Sequence, residues 1–401
     1  MLPYFILAGG TALLGYFLCE KHPSKRSNII FLGLVSIALI IMSTIRSEQV
    51  GVDMLESYLP YFDSVVAGGK EFLFSEQDTF RNEFGYGALN YIISLFSTSH
   101  VALNFGIALL CVGLTSVFIY KYSSSVWVSM FIFISFGFFG YTLCTLRHQI
   151  AICIFMFALP HLQNKKFIPY LIIVLLSATF HKSMLVLIPI YFLAQLPLNA
   201  IFLSLYTAGA LIFIIFSEPI MSFITQYVYT SYQVGSYYMN GRDFQTGFIP
   251  IVLFLVVLLF KTKLLKQNPK NLPLINLCFY TALLFLITYK HFVFQRFALI
   301  LLPVAMLLLP EIMRYMAISE DERLELELAR KAIKLGGGDK KRALQKHGEI
   351  KARLKDRMAL YTATIGFILF GGFVYYLFLL TANRLWLVPY LTMWTTTTVL
   401  R

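Results

Sequence analysis

The sequence predicts an all-α, polytopic integral membrane protein. Of its 401 residues, 58% are hydrophobic and only 13% are charged, whereas soluble domains average about 45–50% apolar and about 25% charged residues. Apolar runs of about 17–22 residues recur along the chain, and a run of that length spans a bilayer when it is helical. This composition excludes most soluble enzymes and nucleic-acid-binding proteins, so we expect no nucleic-acid partner.

About twelve transmembrane helices are predicted, one for each long apolar run. The runs are 2–18, 28–45, 100–120, 126–143, 147–163, 166–180, 182–197, 199–217, 247–264, 272–289, 292–315 and 359–380. A weaker run, 85–98, contains glycines, an asparagine and several hydroxyl residues. We predict that it forms a re-entrant or interfacial helix that does not span.

Charge asymmetry sets the predicted orientation, because Lys and Arg concentrate in the cytoplasmic loops of membrane proteins. If 85–98 does not span, 23 of the 33 Lys and Arg residues share one side with the loop at 19–27, and 10 lie on the other side. The first side is therefore predicted to be cytoplasmic, with both termini external. If 85–98 did span, the later basic loops would all move outside.

Hydrophilic segments divide the chain into three predicted parts. Residues 1–315 form a transmembrane bundle with external loops at 46–84 and 218–246. Residues 316–358 form a cytoplasmic charged helical hairpin around a Gly-Gly-Gly sequence. This hairpin is interpreted either as a partner-binding arm or as a solvated hairpin beside anionic lipid. Residues 359–401 hold the final transmembrane helix and a tail.

Ionisable residues gather at the predicted external ends of the spans. An ionisable group within a span costs about 2.5–3.5 kcal/mol on insertion scales, so each is a candidate functional residue. Arg147, His181 and Arg296 each open a predicted span at the external face, and helix N-termini attract anions. We predict that these three residues form one anion pocket. Further candidates at the same depth are Lys182, Lys290 and His148.

These residue types suit an anionic, lipid-attached substrate. Arginine stays charged and binds phosphate oxygens in a bidentate manner. Arg147 and Arg296, with Lys182 and Lys290, are therefore predicted to bind a lipid diphosphate. The sequence contains no HExxH, HxH or paired-aspartate motif, so no metal and no cofactor is predicted. Snorkelling side chains at helix ends are the alternative interpretation.

The external loops supply further candidates, on the expectation that the lipid diphosphate carries a sugar. A sugar hydroxyl needs a positioned base to become a nucleophile. The candidate bases are His181, Glu83 and Asp53. The candidate sugar contacts are Tyr58, Tyr86 and Arg242. Glu83 has an equally simple alternative role, since an acidic residue stabilises the N-terminus of the helix that follows it.

Short motifs in a characteristic order resemble those of the EpsG-like exopolysaccharide polymerase family, which is similar to Wzy-type O-antigen polymerases. The motifs are Asp53-x-x-x-x-Tyr58 with Tyr61-Phe62, then Glu83-Phe84-Gly85-Tyr86, Leu146-Arg147-His148-Gln149-Ile150-Ala151, Lys165-Lys166, Ala178-Thr179-Phe180-His181-Lys182-Ser183 and Gln295-Arg296-Phe297. The resemblance covers roughly residues 50–310, and it is silent on the hairpin.

The resemblance implies a polysaccharide polymerase of the bacterial inner membrane, similar to the metal-independent GT-C-like glycosyltransferases. Such an enzyme joins undecaprenyl-diphosphate-linked oligosaccharide units at the periplasmic face. The growing chain is the donor, and its reducing-end sugar moves to a hydroxyl of the incoming unit. Membrane lipid and a chain-length regulator protein are the other partners that this resemblance implies.

Two other functions remain open at this point. An O-antigen ligase would differ only in its acceptor, which the sequence does not identify. A polysaccharide flippase or transporter would be expected to carry charges along its mid-span helices, and none of the predicted spans has a charged residue near its middle.

Overall fold

Helices dominate the structure, a computed structural model that describes residues 1–219, 222, 248–288, 290–291, 294–317, 320–335 and 340–395. The α-helices are Leu2–Gly15, Lys25–Thr44, Leu59–Phe72, Phe84–Ser94, His100–Tyr122, Val126–Ser135, Phe138–Tyr141, Leu146–Phe155, Leu159–Gln163, Phe167–Phe180, Leu187–Leu193, Ala200–Ile215, Phe248–Gln267, Leu272–Thr288, Phe294–Leu301, Ala305–Met316, Glu320–Leu335 and Lys340–Ala382. Short 3₁₀ or π-helical turns are Tyr16–Glu20, Met54–Tyr58, Arg81–Glu83, Met156–Ala158, Lys182–Val186, Pro269–Asn271 and Leu302–Val304.

Over the described residues, the predicted all-α class is confirmed. Six of the described helices are long and apolar enough to cross a membrane. They are Leu2–Glu20, Lys25–Thr44, His100–Tyr122, Pro269–Thr288, Phe294–Met316 and Lys341–Ala382. Each coincides with one of the predicted spans, which follows because hydropathy and helix length agree in these segments.

Some of the other predicted spans are interrupted, whereas Phe167–Phe180, Ala200–Ile215 and Phe248–Gln267 are continuous helices. In the run 126–143, the helix ends at Ser135 and Gly137 adopts a φ of +85° before Phe138–Tyr141 begins. A left-handed residue ends a helix, and glycine takes that conformation at least cost. The run 182–197 begins with the 3₁₀ turn Lys182–Val186. Hydropathy did not reveal these breaks because it reads side chains and not backbone conformation.

The short helix Val126–Ser135 lies at the centre of the bundle, and all 10 of its residues are buried. It packs against the helices Leu2–Gly15, Lys25–Thr44, Ala305–Met316 and Lys340–Ala382. The Ser129 hydroxyl donates a hydrogen bond of 2.6 Å to the backbone of Met306. A helix enclosed by protein on all sides can be apolar throughout without facing lipid.

The helix Lys340–Ala382 contains 43 residues, which at 1.5 Å per residue is about 64 Å, or about twice the hydrocarbon thickness of a bilayer. Its charged first half packs on Glu320–Leu335 and buries Ala329, Ile350 and Leu354. The ion pairs between the two helices, each at 2.8 Å, are Arg353–Glu325 and Arg357–Glu322. The two charged helices thus pack against each other, and the predicted glycine turn between them lies outside the described residues.

The predicted external loop 46–84 is partly helical, and its Tyr58, Tyr61 and Phe80 form an aromatic cluster with Tyr86 of the following helix. The Tyr61 and Tyr86 rings stack at 5.6 Å between centroids, and Tyr58 meets Tyr86 edge-on at 5.8 Å. The following helix, Phe84–Ser94, has 11 residues and is about 16 Å long. This length is too short to cross a bilayer, in agreement with the prediction for 85–98.

After Ala382 the chain turns back along the loop at 45–52 instead of ending in a tail. We call residues 383–393 the C-terminal return. Backbone amides of Ser47 and Gly51 donate to the carbonyls of Leu391 and Trp386, at 2.8 and 3.1 Å. An isolated antiparallel bridge joins Arg46 to Thr392. The return therefore fixes the backbone on which Asp53 lies.

Candidate active site

A cavity of about 610 Å³ opens between five segments that are distant in sequence. Its size falls within the range typical of ligand-binding pockets. The polar and aromatic residues that line it are Asp53, Glu56, Tyr58, Tyr141, Thr145, Arg147, His148, His181, Gln295, Arg296, Tyr376, Asn383, Arg384 and Trp386. The three residues predicted to form one anion pocket, Arg147, His181 and Arg296, thus lie together in the structure.

Arg147 is held by a carboxylate on one side and by aromatic rings on the other. It is the second residue of Leu146–Phe155, and its side chain is 22% exposed. Its guanidinium forms an ion pair with Glu83 and lies 3.6 Å from the centroid of the Phe80 ring. A guanidinium that stacks and pairs in this way has few alternative positions, so it is preorganised for an anion.

Glu83 links two of the residues that line the cavity, Arg147 and His181. This buried carboxylate pairs with Arg147, and its Oε1 lies 2.9 Å from Nδ1 of His181. The backbone amide of Lys182 donates a hydrogen bond of 3.1 Å to the same oxygen. Glu83 itself is not among the residues that line the cavity, so it acts from behind Arg147 and His181.

The contacts of Glu83 keep it ionised. Burial alone raises the pKa of a carboxyl group, but the contact with His181 and the charges of His181 and Arg147 outweigh burial here. The pKa of Glu83 is therefore lower than usual. A carboxylate with a lowered pKa is a weak proton acceptor, and this favours a positioning role for Glu83 over the role of base.

His181 and His148 are buried residues of the cavity lining, with 5.1 Å between their ring centroids. His181 was predicted to open a transmembrane helix, as Arg147 and Arg296 do. It instead follows Phe167–Phe180 and precedes a five-residue 3₁₀ turn. Two α-helix N-termini, rather than three, therefore face this region.

Asp53 and Arg296 complete the cavity wall. Burial raises the pKa of Asp53, and the charges of Arg296 and Arg147 only partly oppose that rise. The pKa of Asp53 therefore lies above its usual value, the opposite of Glu83. Two carboxyl groups that differ in this way are suited to different tasks.

Several predicted residues are placed elsewhere. Tyr86 is fully buried in the aromatic cluster, whereas Tyr58 reaches the cavity wall. Lys290 lies 3.7 Å from Glu218 and donates to the Ile214 carbonyl at 3.2 Å, away from the cavity lining. Lys182 contributes its backbone amide to Glu83, and its side chain is not part of the lining. Arg242 lies outside the described residues.

The C-terminal return adds lining residues that the sequence interpretation missed. Arg384 and Trp386 belong to the cavity wall, although residues 359–401 were predicted to be only a helix and a tail. The one sequence feature that could have indicated their role is that an arginine and a tryptophan closely follow an apolar span.

The cavity combines guanidinium groups, imidazole rings and aromatic side chains. Arg147, Arg296 and Arg384 give three guanidinium groups, and the two histidines add imidazole donors. Over the described part of the chain, no group of His, Cys, Asp and Glu side chains has the arrangement of a metal site. The three guanidinium groups have the charge and the donor geometry to bind a diphosphate.

Comparison with known proteins gives a family. No curated protein and no solved structure matches the chain. The model of the EpsG family matches residues 29–327, a range that contains Asp53, Glu83, Arg147, His181 and Arg296. Because this match covers most of the sequence, the protein belongs to the EpsG family.

Proposed function

We propose that the protein is a polysaccharide polymerase that joins undecaprenyl-diphosphate-linked oligosaccharide units. Family membership supports an exopolysaccharide-related polymerase. The observation that carries the proposal is the single carboxylate of Glu83, which holds Arg147 and His181 together at a cavity that Arg296 also lines. Arginines and an imidazole ring fixed in this way can stabilise the charge of a diphosphate leaving group.

The proposed reaction is one glycosyl transfer. A hydroxyl of the incoming unit attacks the anomeric carbon of the donor chain's reducing-end sugar. The bond from that carbon to the diphosphate oxygen breaks, and undecaprenyl diphosphate leaves with the electron pair. Arg147, Arg296 and His181 stabilise the charge that develops on the leaving oxygen.

Asp53 is the proposed base that accepts the proton of the acceptor hydroxyl. It lines the cavity, and its raised pKa makes it a better proton acceptor than an ordinary aspartate. Glu83 is a positioning residue, because both of its oxygens are engaged by Arg147, His181 and the amide of Lys182.

We further propose a twelve-span topology in the bacterial inner membrane, with the cavity open to the periplasm and an overall likeness to GT-C glycosyltransferases. In this topology, the loop that carries Asp53 is on the side with fewer basic residues, which supports a periplasmic location. The substrate diphosphate would then lie at the membrane surface, where lipid headgroups lie.

Cysteine labelling in spheroplasts tests this orientation. Gln77 and Ser124 are both exposed, and the five native cysteines are buried. We expect Gln77→Cys to react with a membrane-impermeant maleimide and Ser124→Cys to react only after permeabilisation. Reaction of Ser124→Cys alone in intact spheroplasts would invert the topology and contradict the periplasmic site.

Gene deletion followed by gel analysis of surface glycan tests the function itself. A polymerase mutant should lose long chains and keep the single-unit product, and the wild-type gene should restore the ladder. Loss of all surface glycan would indicate a ligase or a flippase, and an unchanged ladder would contradict a role in polymerisation.

A further inference from the structure

The C-terminal return brings two side chains into the cavity from outside the range matched by the family model. Arg384 and Trp386 line the cavity, whereas the family match ends at residue 327. The family match therefore gives no information about the role of these two residues. Any role for Arg384 and Trp386 has to be argued from their geometry.

The return is attached to the backbone that carries Asp53. The amide of Val52 donates to the Leu385 carbonyl at 3.0 Å, and the amide of Gly51 donates to the Trp386 carbonyl at 3.1 Å. The Tyr4 hydroxyl donates to the Leu387 carbonyl at 3.0 Å from the other side. Arg384 and Trp386 thus come from a wall that adjoins Asp53 along the backbone.

A tight turn presents Trp386 in an uncommon backbone conformation. Asn383 and Trp386 have φ values of +44° and +51°, in a region that non-glycine residues rarely occupy. The amide of Val388 donates to Oδ1 of Asn383 at 2.8 Å and closes the turn. Strain of this kind persists where the surrounding structure enforces it, and it concentrates at ligand-binding sites.

We propose that Trp386 and Arg384 form the subsite for the acceptor sugar, an inference that rests on the proposed polymerase function. The indole, 38% exposed, offers a flat apolar face against which a pyranose ring can stack, and Arg384 can donate hydrogen bonds to ring hydroxyl oxygens. The acceptor hydroxyl is thereby placed beside Asp53. Arg147, His181 and Arg296 remain for the donor diphosphate, so the cavity holds the two substrates on two different walls.

Trp386→Ala and Trp394→Ala form a matched pair for the test. Both tryptophans belong to the same C-terminal segment, but Trp394 is 67% exposed and is not part of the cavity lining. Each variant is expressed in the deletion strain, and its surface glycan is separated on a gel. Each is also purified, and its binding of two probes is measured: undecaprenyl diphosphate, and the lipid-linked repeat unit extracted from the deletion strain.

We expect Trp386→Ala to bind the repeat unit at least about tenfold more weakly, because truncation of an aromatic anchor removes much of a binding interface's affinity. Its binding of undecaprenyl diphosphate should match that of the wild type, and its long chains should be lost. Trp386→Phe keeps a flat ring and should restore most of the chain length. Trp394→Ala should behave as the wild type in every measurement.

Two outcomes would overturn the subsite while leaving the proposed function in place. In the first, Trp386→Ala matches Trp394→Ala in chain length and in both binding measurements. In the second, Trp386→Ala weakens the two probes equally, which would mean that the ring supports the whole cavity instead of the sugar. Failure of the wild-type gene to restore the ladder would instead count against the polymerase function.

Discussion

Replacement of Arg296 by alanine is expected to reduce polymer formation by at least about 100-fold, the loss that follows removal of one preorganised group that stabilises transition-state charge. Arg147→Ala should have an effect of the same order. Arg296→Lys keeps the charge but loses the bidentate geometry, so its activity should be intermediate. The measurement is the conversion of lipid-linked repeat units to polymer in membranes that contain equal amounts of each variant.

Two basic residues outside the cavity, Lys290 and Arg81, provide controls. Lys290→Ala removes a cation that the sequence placed in the site but that the structure pairs with Glu218. Arg81→Ala removes an exposed arginine of the loop 46–84. Both variants should retain near-wild-type activity. Equal losses in Lys290→Ala and Arg296→Ala would show that the cavity lining does not select the functional residues.

The sequence placed Arg147, His181 and Arg296 together because each lies at the same end of an apolar run. Hydropathy fixes the depth of such a residue, and the positive-inside rule fixes its side. These two criteria place every basic residue at the external end of a span on the same membrane surface. They could not separate Arg296 from Lys290, because lateral position depends on how helices pack, and packing leaves no periodic signal in a uniformly apolar run.

Tyr86 and the C-terminal return are two further cases in which the sequence did not predict the position of a side chain. Tyr86 was predicted to contact sugar because it is an aromatic residue in a polar loop, yet its ring is fully buried against Tyr61. Trp386 was missed because backbone pairing over more than 300 residues carries it to the cavity. Every residue except proline offers the same backbone donor and acceptor, so this pairing leaves no recognisable sequence motif.

The proposed tasks of Asp53 and Glu83 differ, and the two conservative variants should separate them. Asp53→Asn removes the proposed base and should slow polymerisation by about 10²–10⁴-fold, the usual contribution of general base catalysis. Glu83→Gln leaves the base in place but removes the charge that holds Arg147 and His181. Its loss should be smaller, and it should be accompanied by a lower stability of the folded protein, since a buried ion pair loses one partner.

The pH dependence of polymerisation provides the sharper test. A base must be unprotonated to act, so the rate should fall as the pH falls through the pKa of Asp53. Burial raises that pKa, so the fall should begin at a higher pH than an aspartate's ordinary value of about 3.9 would give. Glu83, with its lowered pKa, stays ionised across the same range. Glu83→Gln should therefore keep the acidic limb of the pH–rate profile, whereas the residual activity of Asp53→Asn should lack it. A profile in which Glu83→Gln loses the limb and Asp53→Asn retains it would make Glu83 the base and reverse the two roles.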